Sequence, residues 1–201
     1  MQKPPSGTAG YHDNAPYLAE QYESIGFEDV HRDVLHLFPS ERCHVLDVGA
    51  GSGRDAAALA LKGHSVVAVE PTEGLREEGK RRHPSPNLEW VDDYLPALSV
   101  TRKRHQGFGL ILLTAVWMHL KTDERRDAMQ TLSELILPAG RIVMTLRHGP
   151  VPDGRQMFDV SAQETVDLAG NFGLANRHVS KRQDMFARSD VSWSLVVLEK
   201  I

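Results

Sequence analysis

The chain of 201 residues contains one cysteine, few aromatic residues and no long apolar segment. Because Cys43 has no partner cysteine, an intrachain disulfide is excluded, and we interpret this residue as a small core side chain beside an apolar segment. No apolar run approaches the roughly 20 residues of a membrane-spanning helix, and residues 1–7 lack the apolar core of a signal peptide. We therefore expect a cytoplasmic protein with no membrane segment.

A basic excess is also missing. The sequence has 23 lysines and arginines against 27 aspartates and glutamates, and its formal net charge is −4. Proteins whose main partner is a nucleic acid need positive charge to neutralise phosphates, so the composition disfavours that class. We interpret the two local basic clusters, at 81–83 and 102–105, as solvated surface.

Metal-ligand patterns are lacking as well. Although the sequence has ten histidines, the one pair near helical spacing with an acid close by is His31 and His36, which flank Asp33. A separation of five residues does not place these two side chains on one helical face. We therefore expect no metal site.

What the sequence does contain is an apolar strand pattern that leads into closely spaced glycines. Residues 45–48 read Val-Leu-Asp-Val, glycines follow at 49, 51 and 53, and an alanine-rich helix pattern begins near Arg54. Glycines let the backbone turn sharply and let a ligand approach closely, while a helix N-terminus offers unpaired N–H groups. The segment therefore predicts a nucleotide-like cofactor at the edge of an α/β sheet.

Two cofactors compete for this loop. Residues 51–56 satisfy the dinucleotide pattern G-x-G-x-x-A, so NAD stays open. Asp47 inside the strand and the extra Gly49 favour S-adenosylmethionine, because a carboxylate suits an ammonium group and would repel a pyrophosphate. Glu70 ends the next strand pattern, is followed by Pro71, and can accept both hydroxyls of a ribose, a feature that the two cofactors share.

Several segments together resemble the class I S-adenosylmethionine-dependent methyltransferases. They are the glycine loop 47–53, Glu70, Asp92-Asp93 after a third strand pattern, 108–113 as a fourth strand, and 137–141 leading into a fifth. The resemblance implies an α/β fold with a single-domain, Rossmann-like, doubly wound sheet. This sheet would have seven strands, mostly parallel, and would end in an antiparallel hairpin near 174–180 and 192–199.

We expect one methyltransferase domain over residues 1–201. Within it, residues 1–10 are expected to be mobile, and residues 11–38 to form an N-terminal helical cap. Its helix is predicted from about residue 16 to residue 38, interrupted or bent near Gly26. Residues 43–201 are expected to form the cofactor-binding core. Strand and helix patterns alternate along this core, as a doubly wound sheet requires.

The resemblance implies S-adenosylmethionine as the cofactor and S-adenosylhomocysteine as the product. Asp93 is the better match to the family's adenine-binding acid, with Asp92 as the alternative, and the indole of Trp117 would border the sulfonium. Arg54 would pair with the methionine carboxylate unless the neighbouring Asp55 neutralises it. The expected cofactor contacts are Tyr11, Asp47, Gly49, Ala50, Gly51, Arg54, Glu70, Pro71, Asp92, Asp93, Tyr94, Thr114 and Trp117.

Candidate catalytic and acceptor-binding residues follow the fourth and fifth strand patterns, because ligands of such sheets bind outside the carboxyl ends of the strands. His119 is a candidate general base; the alternative is that it orients its loop through backbone hydrogen bonds. Arg147 and His148 would contact a carboxylate or phosphate of the substrate, unless they form a solvated turn paired to Asp153 or Asp159. The candidate catalytic residues are therefore His119 and His148, and the candidate acceptor contacts are Tyr17, Trp117, Arg147 and His148.

The acceptor is less well defined than the cofactor. Enzymes that methylate the amino groups of bases have an Asn/Asp-Pro-Pro-Tyr/Phe motif after the fourth strand, whereas residues 114–117 of this chain lack it. Residues 11–17 resemble the tyrosine-bearing segment that covers the cofactor in small-molecule methyltransferases. We therefore predict methyl transfer to N, O or another nucleophile of a small molecule, and Arg147 favours an anionic one. Two alternatives stay open: an RNA or protein methyltransferase that docks through 102–104, and a non-catalytic S-adenosylmethionine-binding regulatory module.

Overall fold

A computed structural model of the chain describes residue 11 and residues 14–105 and 107–201. The helices are α1 (Ala15–Glu23), α2 (Phe27–His31), α3 (Arg54–Leu61), α4 (Glu73–Arg82), α5 (Ser99–Arg104), α6 (Thr122–Leu135) and α7 (Ala162–Gly170), with short 3-10 turns at Leu35–Leu37 and Trp117–His119. The strands are β1 (His44–Val48), β2 (Ser65–Val69), β3 (Leu88–Val91), β4 (Phe108–Thr114), β5 (Ile136–His148), β6 (Leu174–Gln183) and β7 (Ser192–Lys200). The expected mobility of residues 1–10 concerns a segment outside the described residues.

The strands form one seven-stranded sheet in the order β3-β2-β1-β4-β5-β7-β6. Strands β1 to β5 pair in parallel, whereas β7 pairs antiparallel with both β5 and β6. The sheet confirms the predicted doubly wound α/β fold with a C-terminal antiparallel hairpin. Because the strand order changes direction between the neighbours β1 and β4, a crevice opens outside their carboxyl ends.

The centre of the sheet is buried on both faces, as parallel strands covered by helices require. Successive residues of one strand enter different layers: Leu46 packs in the core that includes residues of α6 and α7, while Val45 packs on the other face with residues of α2 and α3. Asp47 is the one acid of β1 and is itself buried. The strand therefore carries a carboxylate into the interior next to the crevice.

The predicted helix over 16–38 is divided in two. Helix α1 ends at Glu23, Gly26 is extended with φ −66° and ψ 155°, and α2 begins at Phe27. The buried face of α1 packs against Leu75 of α4, whereas α2 packs with α3. Of the two alternatives near Gly26, the structure has the interruption, and it allows the two helices to cover different parts of the sheet.

Two helices begin with different caps. At α7, the Oγ of Ser161 accepts the backbone N–H of Glu164 at 3.0 Å. At α6, Thr122 is already helical, and the preceding Lys121 donates its backbone N–H to the Glu124 carboxylate at 2.8 Å. In the described part of the chain, no helix has the length and apolarity needed to cross a bilayer.

Candidate active site

The carboxyl ends of the central strands open into a cavity of about 630 Å³, within the roughly 300–1,000 Å³ that is usual for small-molecule sites. One part of its wall, the glycine-loop half, comes from residues 47–55, 69–75 and 93–95. The other part of the wall, the arginine-lined half, comes from residues 145–157 and 182–193. Tyr11, α1 and the turn after β4 line the cavity as well.

The glycine loop after β1 has a left-handed backbone. Gly51 has a φ of +57°, and a Cβ atom at this position would lie 3.2 Å from the ring of Tyr22. The Gly51 N–H donates to Oε2 of Glu70 at 2.9 Å, and Gly49 and Ala50 also line the cavity. The loop thus presents backbone to a ligand, and a side chain at 51 would be strained.

Helix α1 is fastened to this loop at its C-terminal end. The Glu23 carboxylate accepts the Ser52 hydroxyl at 2.6 Å and bonds Nε2 of His83 at 2.9 Å. Burial raises the pKa of Glu23, but these hydrogen bonds outweigh burial and lower the pKa below its ordinary value. Sequence reasoning missed this contact, because no spacing connects Glu23 with Ser52 before the helix is placed.

Glu70 holds the ends of two loops together. Its carboxylate accepts the backbone N–H groups of Gly51 at 2.9 Å and Thr72 at 2.8 Å, and it is 5% exposed. Burial raises the pKa of Glu70, although the two N–H donors act against that rise. The predicted ribose contact at Glu70 and the neighbouring Pro71 both lie on the cavity wall.

Asp47 has a buried oxygen with no hydrogen-bond partner. Its side chain lines the cavity, and Oδ2 contacts no donor among the described residues. Burial raises the pKa of Asp47 well above its ordinary value, and the nearby Asp55 carboxylate raises it further. Because an unpaired buried acid is unfavourable, the site is suited to a ligand that brings a positively charged donor.

Arg54 is paired with the acid next to it in the sequence. This is one of the two alternatives that the sequence left open, the other being a contact with the methionine carboxylate. Its Nε donates to Asp55 at 2.7 Å and its Nη1 to the carbonyl of Tyr22 at 3.1 Å. Asp55 also bonds His31 at 2.8 Å and accepts the Thr114 hydroxyl at 2.7 Å. Burial raises the pKa of Asp55, but the His31 and Arg54 contacts outweigh it and hold the pKa far below its ordinary value. Arg54 lines the cavity with only part of its guanidinium unused.

The two candidate adenine-binding acids lie in different places. Asp93 is buried on the cavity wall next to Tyr94, whereas Asp92 is exposed, contacts Arg76 at 3.4 Å and does not line the cavity. The Asp93 carboxylate accepts the N–H groups at the start of α5, including that of Thr101 at 2.8 Å, and the Thr101 hydroxyl. Of the two, only Asp93 is positioned for the predicted contact, and most of its capacity as an acceptor is already used by the protein.

Trp117 does not reach the cavity, so the prediction that it borders the sulfonium and the acceptor is not supported. Its indole is fully buried in the core, and Nε1 has no partner among the described residues. The 3-10 turn Trp117–His119 points successive side chains in different directions. Thr114, Val116 and His119 line the cavity instead.

His119 and Tyr11 form a hydrogen-bonded pair on the cavity wall. Nδ1 of His119 lies 2.7 Å from the carbonyl of Gln156, which accepts only, so this contact assigns the proton to Nδ1. Nε2 then accepts the Tyr11 hydroxyl at 3.2 Å. Burial lowers the pKa of His119, and the Arg155 charge adds to this effect. The imidazole is therefore held neutral with a lone pair on Nε2, while Nδ1 orients the turn.

Arg155 is a site residue that sequence reasoning missed. Its guanidinium carbon lies 3.3 Å from the centre of the Tyr11 ring, a close cation–π contact. Nη1 of Arg155 is buried and has no hydrogen-bond partner among the described residues. No pattern in the sequence joins residues 11 and 155. Only the path of the loop after β5 brings them together.

Arg147 and His148 point to opposite faces of β5, because successive side chains of a strand alternate. Arg147 lines the cavity and donates to the carbonyl of Pro150 at 2.7 Å. His148 bonds the Ser194 hydroxyl at 2.8 Å and does not line this cavity; it lines a neighbouring one of about 390 Å³, whose wall Arg147 and Met157 share. The geometry therefore does not support His148 as a catalytic or acceptor residue. The expected ion pairs to Asp153 and Asp159 are also absent among the described residues.

Further residues of the acceptor side come from segments that the sequence did not mark. Tyr17 lines the cavity and is 68% exposed, which places it at the mouth. The end of β6, the start of β7 and the connection between them add side chains to the arginine-lined half; they are Arg182, Asp184, Met185, Phe186, Arg188 and Trp193. The hairpin was predicted, but its role in the site depends on where its turn lies relative to β5.

Comparison with known proteins supports the cofactor and the family. Residues 45–140 match a family model described as a methyltransferase domain. The chain is similar to an uncharacterized methyltransferase of Oceanobacillus iheyensis, with 25% identity over 167 residues that cover 82% of this chain and 71% of that protein. It spans about half the length of the next curated relatives that it matches.

Solved structures share the fold. A putative S-adenosylmethionine-dependent methyltransferase of Listeria monocytogenes aligns with a TM-score of 0.70 at 12% identity, over 86% of this chain and 98% of that one. A 1,6-didemethyltoxoflavin-N1-methyltransferase of Burkholderia thailandensis, with bound 1,6-didemethyltoxoflavin and S-adenosylhomocysteine, aligns with a TM-score of 0.64 at 18% identity, over 100% and 91%. The family match and the fold agree with the residues of the glycine-loop half, and together they support a class I S-adenosylmethionine-dependent methyltransferase domain with its family match over residues 45–140.

Proposed function

We propose that this enzyme transfers the methyl group of S-adenosylmethionine to N, O or another nucleophile of a small molecule. The observation that carries the proposal is one cavity that joins the glycine loop and the unpaired Asp47 oxygen to the His119–Tyr11 pair. When bound, the cofactor supplies an electrophilic methyl group on a positively charged sulfur. The protein then has to align an acceptor and receive a proton.

The acids of the glycine-loop half fit the polar groups of this cofactor. Oδ2 of Asp47 would accept the ammonium group, which removes the unfavourable burial of an unpaired carboxylate. Glu70 would accept the ribose hydroxyls with the lone pairs that its two backbone donors leave. A pyrophosphate would instead meet two buried carboxylates, which favours S-adenosylmethionine over NAD.

The His119–Tyr11 pair is suited to take up the proton that an attacking O–H or N–H group loses. The lone pair on Nε2 faces the Tyr11 hydroxyl. As Tyr11 gives its proton to Nε2, its oxygen can accept one from the acceptor, so that the proton ends on His119. Because burial lowers the pKa of His119, its imidazole is neutral and has a lone pair for this proton.

Several observations support a small acceptor. The acceptor side of the cavity is built from Tyr11, the loop after β5 and the β6–β7 connection, which together line one concave space. The basic cluster at 102–104 lies outside the cavity wall, and Arg102 and Arg104 pair with Glu134 and Glu89 at 2.5 and 3.6 Å. A solved structure with the same fold holds a small heterocycle.

The experiment that tests this function is a calorimetric titration with S-adenosylmethionine, S-adenosylhomocysteine and NAD, followed by transfer of a labelled methyl group to a panel of small N and O nucleophiles. We expect the first two to bind, NAD not to bind, and label to enter small acceptors. Binding of NAD alone would overturn the proposal. Cofactor binding without label transfer to any small molecule, and with transfer to RNA or protein, would favour a macromolecular acceptor.

A further inference from the structure

Three guanidinium groups on the cavity wall have no carboxylate within 4 Å among the described residues. They belong to Arg147, Arg155 and Arg182. The other two arginines of the wall are neutralised, since Arg54 pairs with Asp55 at 2.7 Å and Arg188 with Asp184 at 2.7 Å. The arginine-lined half therefore carries an uncompensated positive charge in a chain whose net charge is −4.

Two of these groups also have buried N–H donors that are unused. Nη1 of Arg155 and Nε of Arg182 are inaccessible to solvent and have no hydrogen-bond partner among the described residues. A buried donor on a cation is unfavourable unless an acceptor satisfies it. Arg147 uses Nη1 on backbone carbonyls, and its remaining N–H groups stay available.

The unused Arg155 donor lies beside the proton-accepting pair, whereas Arg182 lines the same cavity and donates its Nη1 to the Asp29 carbonyl at 3.4 Å. The Arg155 guanidinium stacks 3.3 Å from the centre of the Tyr11 ring, and the Tyr11 hydroxyl bonds Nε2 of His119. Apolar or aromatic side chains of the same wall are Met157, Met185, Phe186 and Trp193, and its carboxylates are those of Asp153 and of Asp184, which pairs with Arg188. A ligand that satisfies the guanidinium groups would thus have its body against apolar side chains and its nucleophile near His119.

We propose that Arg155 and Arg182 form an anion subsite that binds a carboxylate or phosphate group of the acceptor, and that the acceptor is a small acid with an apolar, ring-sized body. This inference rests on the proposed function, because the subsite is defined relative to the His119–Tyr11 pair. Arg147, which sequence reasoning singled out, contributes its remaining donors, whereas His148 faces away. Bidentate guanidinium contacts would give the planar carboxylate a defined orientation.

The test uses three matched probes that differ only in one group: para-hydroxybenzoate, para-hydroxyphenyl phosphate and para-hydroxybenzamide. Each is titrated calorimetrically into the full chain, with and without saturating S-adenosylhomocysteine. We expect at least one of the two acids to bind about tenfold or more tighter than the neutral amide, since a charged hydrogen bond is worth that much. Which of the two acids binds tighter then shows whether the subsite prefers a carboxylate or a phosphate.

Variants then assign the preference to residues. Arg155→Met and Arg182→Met keep the length of the side chain and remove the donors, and each is expected to reduce acid binding by about tenfold without changing amide binding. The control is Arg102→Met, an exposed arginine that pairs with Glu134 outside the cavity, which should leave all three affinities unchanged. A melting curve for each variant confirms that it is folded.

Two failures are distinguishable. If S-adenosylhomocysteine does not bind, the proposed function is contradicted. If it binds, but neither acid binds better than the amide, or the preference survives in both arginine variants, the anion subsite is contradicted and the methyltransferase proposal stands.

Discussion

The two halves of the cavity have unpaired groups of opposite charge. In the glycine-loop half, the unpaired atom is a carboxylate oxygen of Asp47, while in the arginine-lined half the unpaired atoms are guanidinium nitrogens of Arg155 and Arg182. Each half is therefore unfavourable alone and complementary to a ligand group of the other sign. An ammonium-bearing donor and an anionic acceptor would be sorted to their own ends of one cavity by charge.

The halves also differ in which chemical groups meet the ligand. The glycine-loop half uses backbone, with Gly51 in a left-handed conformation and Glu70 holding its N–H. The arginine-lined half uses long side chains that come from the end of β5 and the loop after it, and from the end of β6 and the β6–β7 connection. The first half should thus be sensitive to any added side chain, and the second to the loss of particular ones.

The largest expected effect comes from Gly51→Val. A Cβ at this position would lie 3.2 Å from the Tyr22 ring and within the ligand loop, so we expect S-adenosylhomocysteine binding to fall below detection in a calorimetric titration. The matched control is Gly173→Val, which has a similar φ of +71° and whose Cβ would meet only the end of the Lys200 side chain, at an ordinary contact distance of 3.7 Å. Both substitutions lower the free energy of unfolding by roughly 1–2 kcal/mol through backbone strain. Normal affinity in Gly51→Val would show that the loop does not bind the cofactor.

His119→Ala is expected to act on turnover alone. A lost general base lowers the rate by roughly 10²–10⁴-fold, whereas the affinity for S-adenosylhomocysteine should not change, because His119 serves the acceptor side. Since burial lowers the pKa of His119, the wild-type rate should stay constant as the pH falls through about 6.5, the ordinary imidazole value, and decline only below it. If the variant loses cofactor affinity and keeps its rate, His119 has only a structural role through Gln156.

Asp47→Asn should change affinity and stability in opposite directions. The folded pKa of Asp47 is raised above its unfolded value by burial, so the folded chain holds the proton more tightly. Stability that this group provides at low pH is therefore lost as the pH rises from about 4. At neutral pH the asparagine variant without ligand should be more stable to heat, while it binds S-adenosylmethionine about tenfold or more weakly.

Asp93→Asn is the control for that prediction. The Asp93 carboxylate already accepts donors at the start of α5, so its replacement should lower stability instead of raising it. If Asp47→Asn also lowers the melting temperature, the Asp47 carboxylate of the wild-type chain already has a hydrogen-bond donor in solution. The contrast between the two halves would then need revision.

The smallest effect is expected from removal of the basic cluster on α5. Arg102→Ala combined with Arg104→Ala removes two exposed side chains that pair with Glu134 and Glu89 outside the cavity. Stability should change by less than about 0.5 kcal/mol for each residue, and methyl transfer to a small acceptor should be unaffected by it and by moderate salt. A large rate loss that grows with salt would favour a nucleic-acid acceptor.

The fold and the glycine-loop half were predictable because they depend on local patterns. Residues 47–53 are contiguous, and Glu70 ends the next strand, so one stretch of sequence specifies both the turn and its acid. The sequence left open whether Arg54 pairs with Asp55 or with the cofactor. A decision between the two required the positions of His31 and Thr114 around Asp55. Contacts of that kind join residues far apart in the sequence, and no spacing reveals them.

The arginine-lined half was mostly missed for the same reason. Arg147 was identified because it adjoins a strand end, but its neighbour His148 was assigned to the same site although strand alternation turns it away. Trp117 was identified by its aromatic type, whereas its turn directs it into the core. Arg155 and Arg182 carry no local signal, since their importance comes from what is absent around them.

The division between backbone and side-chain recognition has a consequence for how this protein can diversify. A backbone N–H at Gly51 is present whatever residue is encoded elsewhere, so donor recognition is inherited with the fold itself. The guanidinium group at 155 lies on the connection after β5, and the one at 182 lies at the end of the outermost strand, β6, so that a single codon change can replace either group without altering the centre of the sheet. Descendants of this chain can therefore exchange one acceptor for another while the ancestral chemistry of the methyl donor is retained.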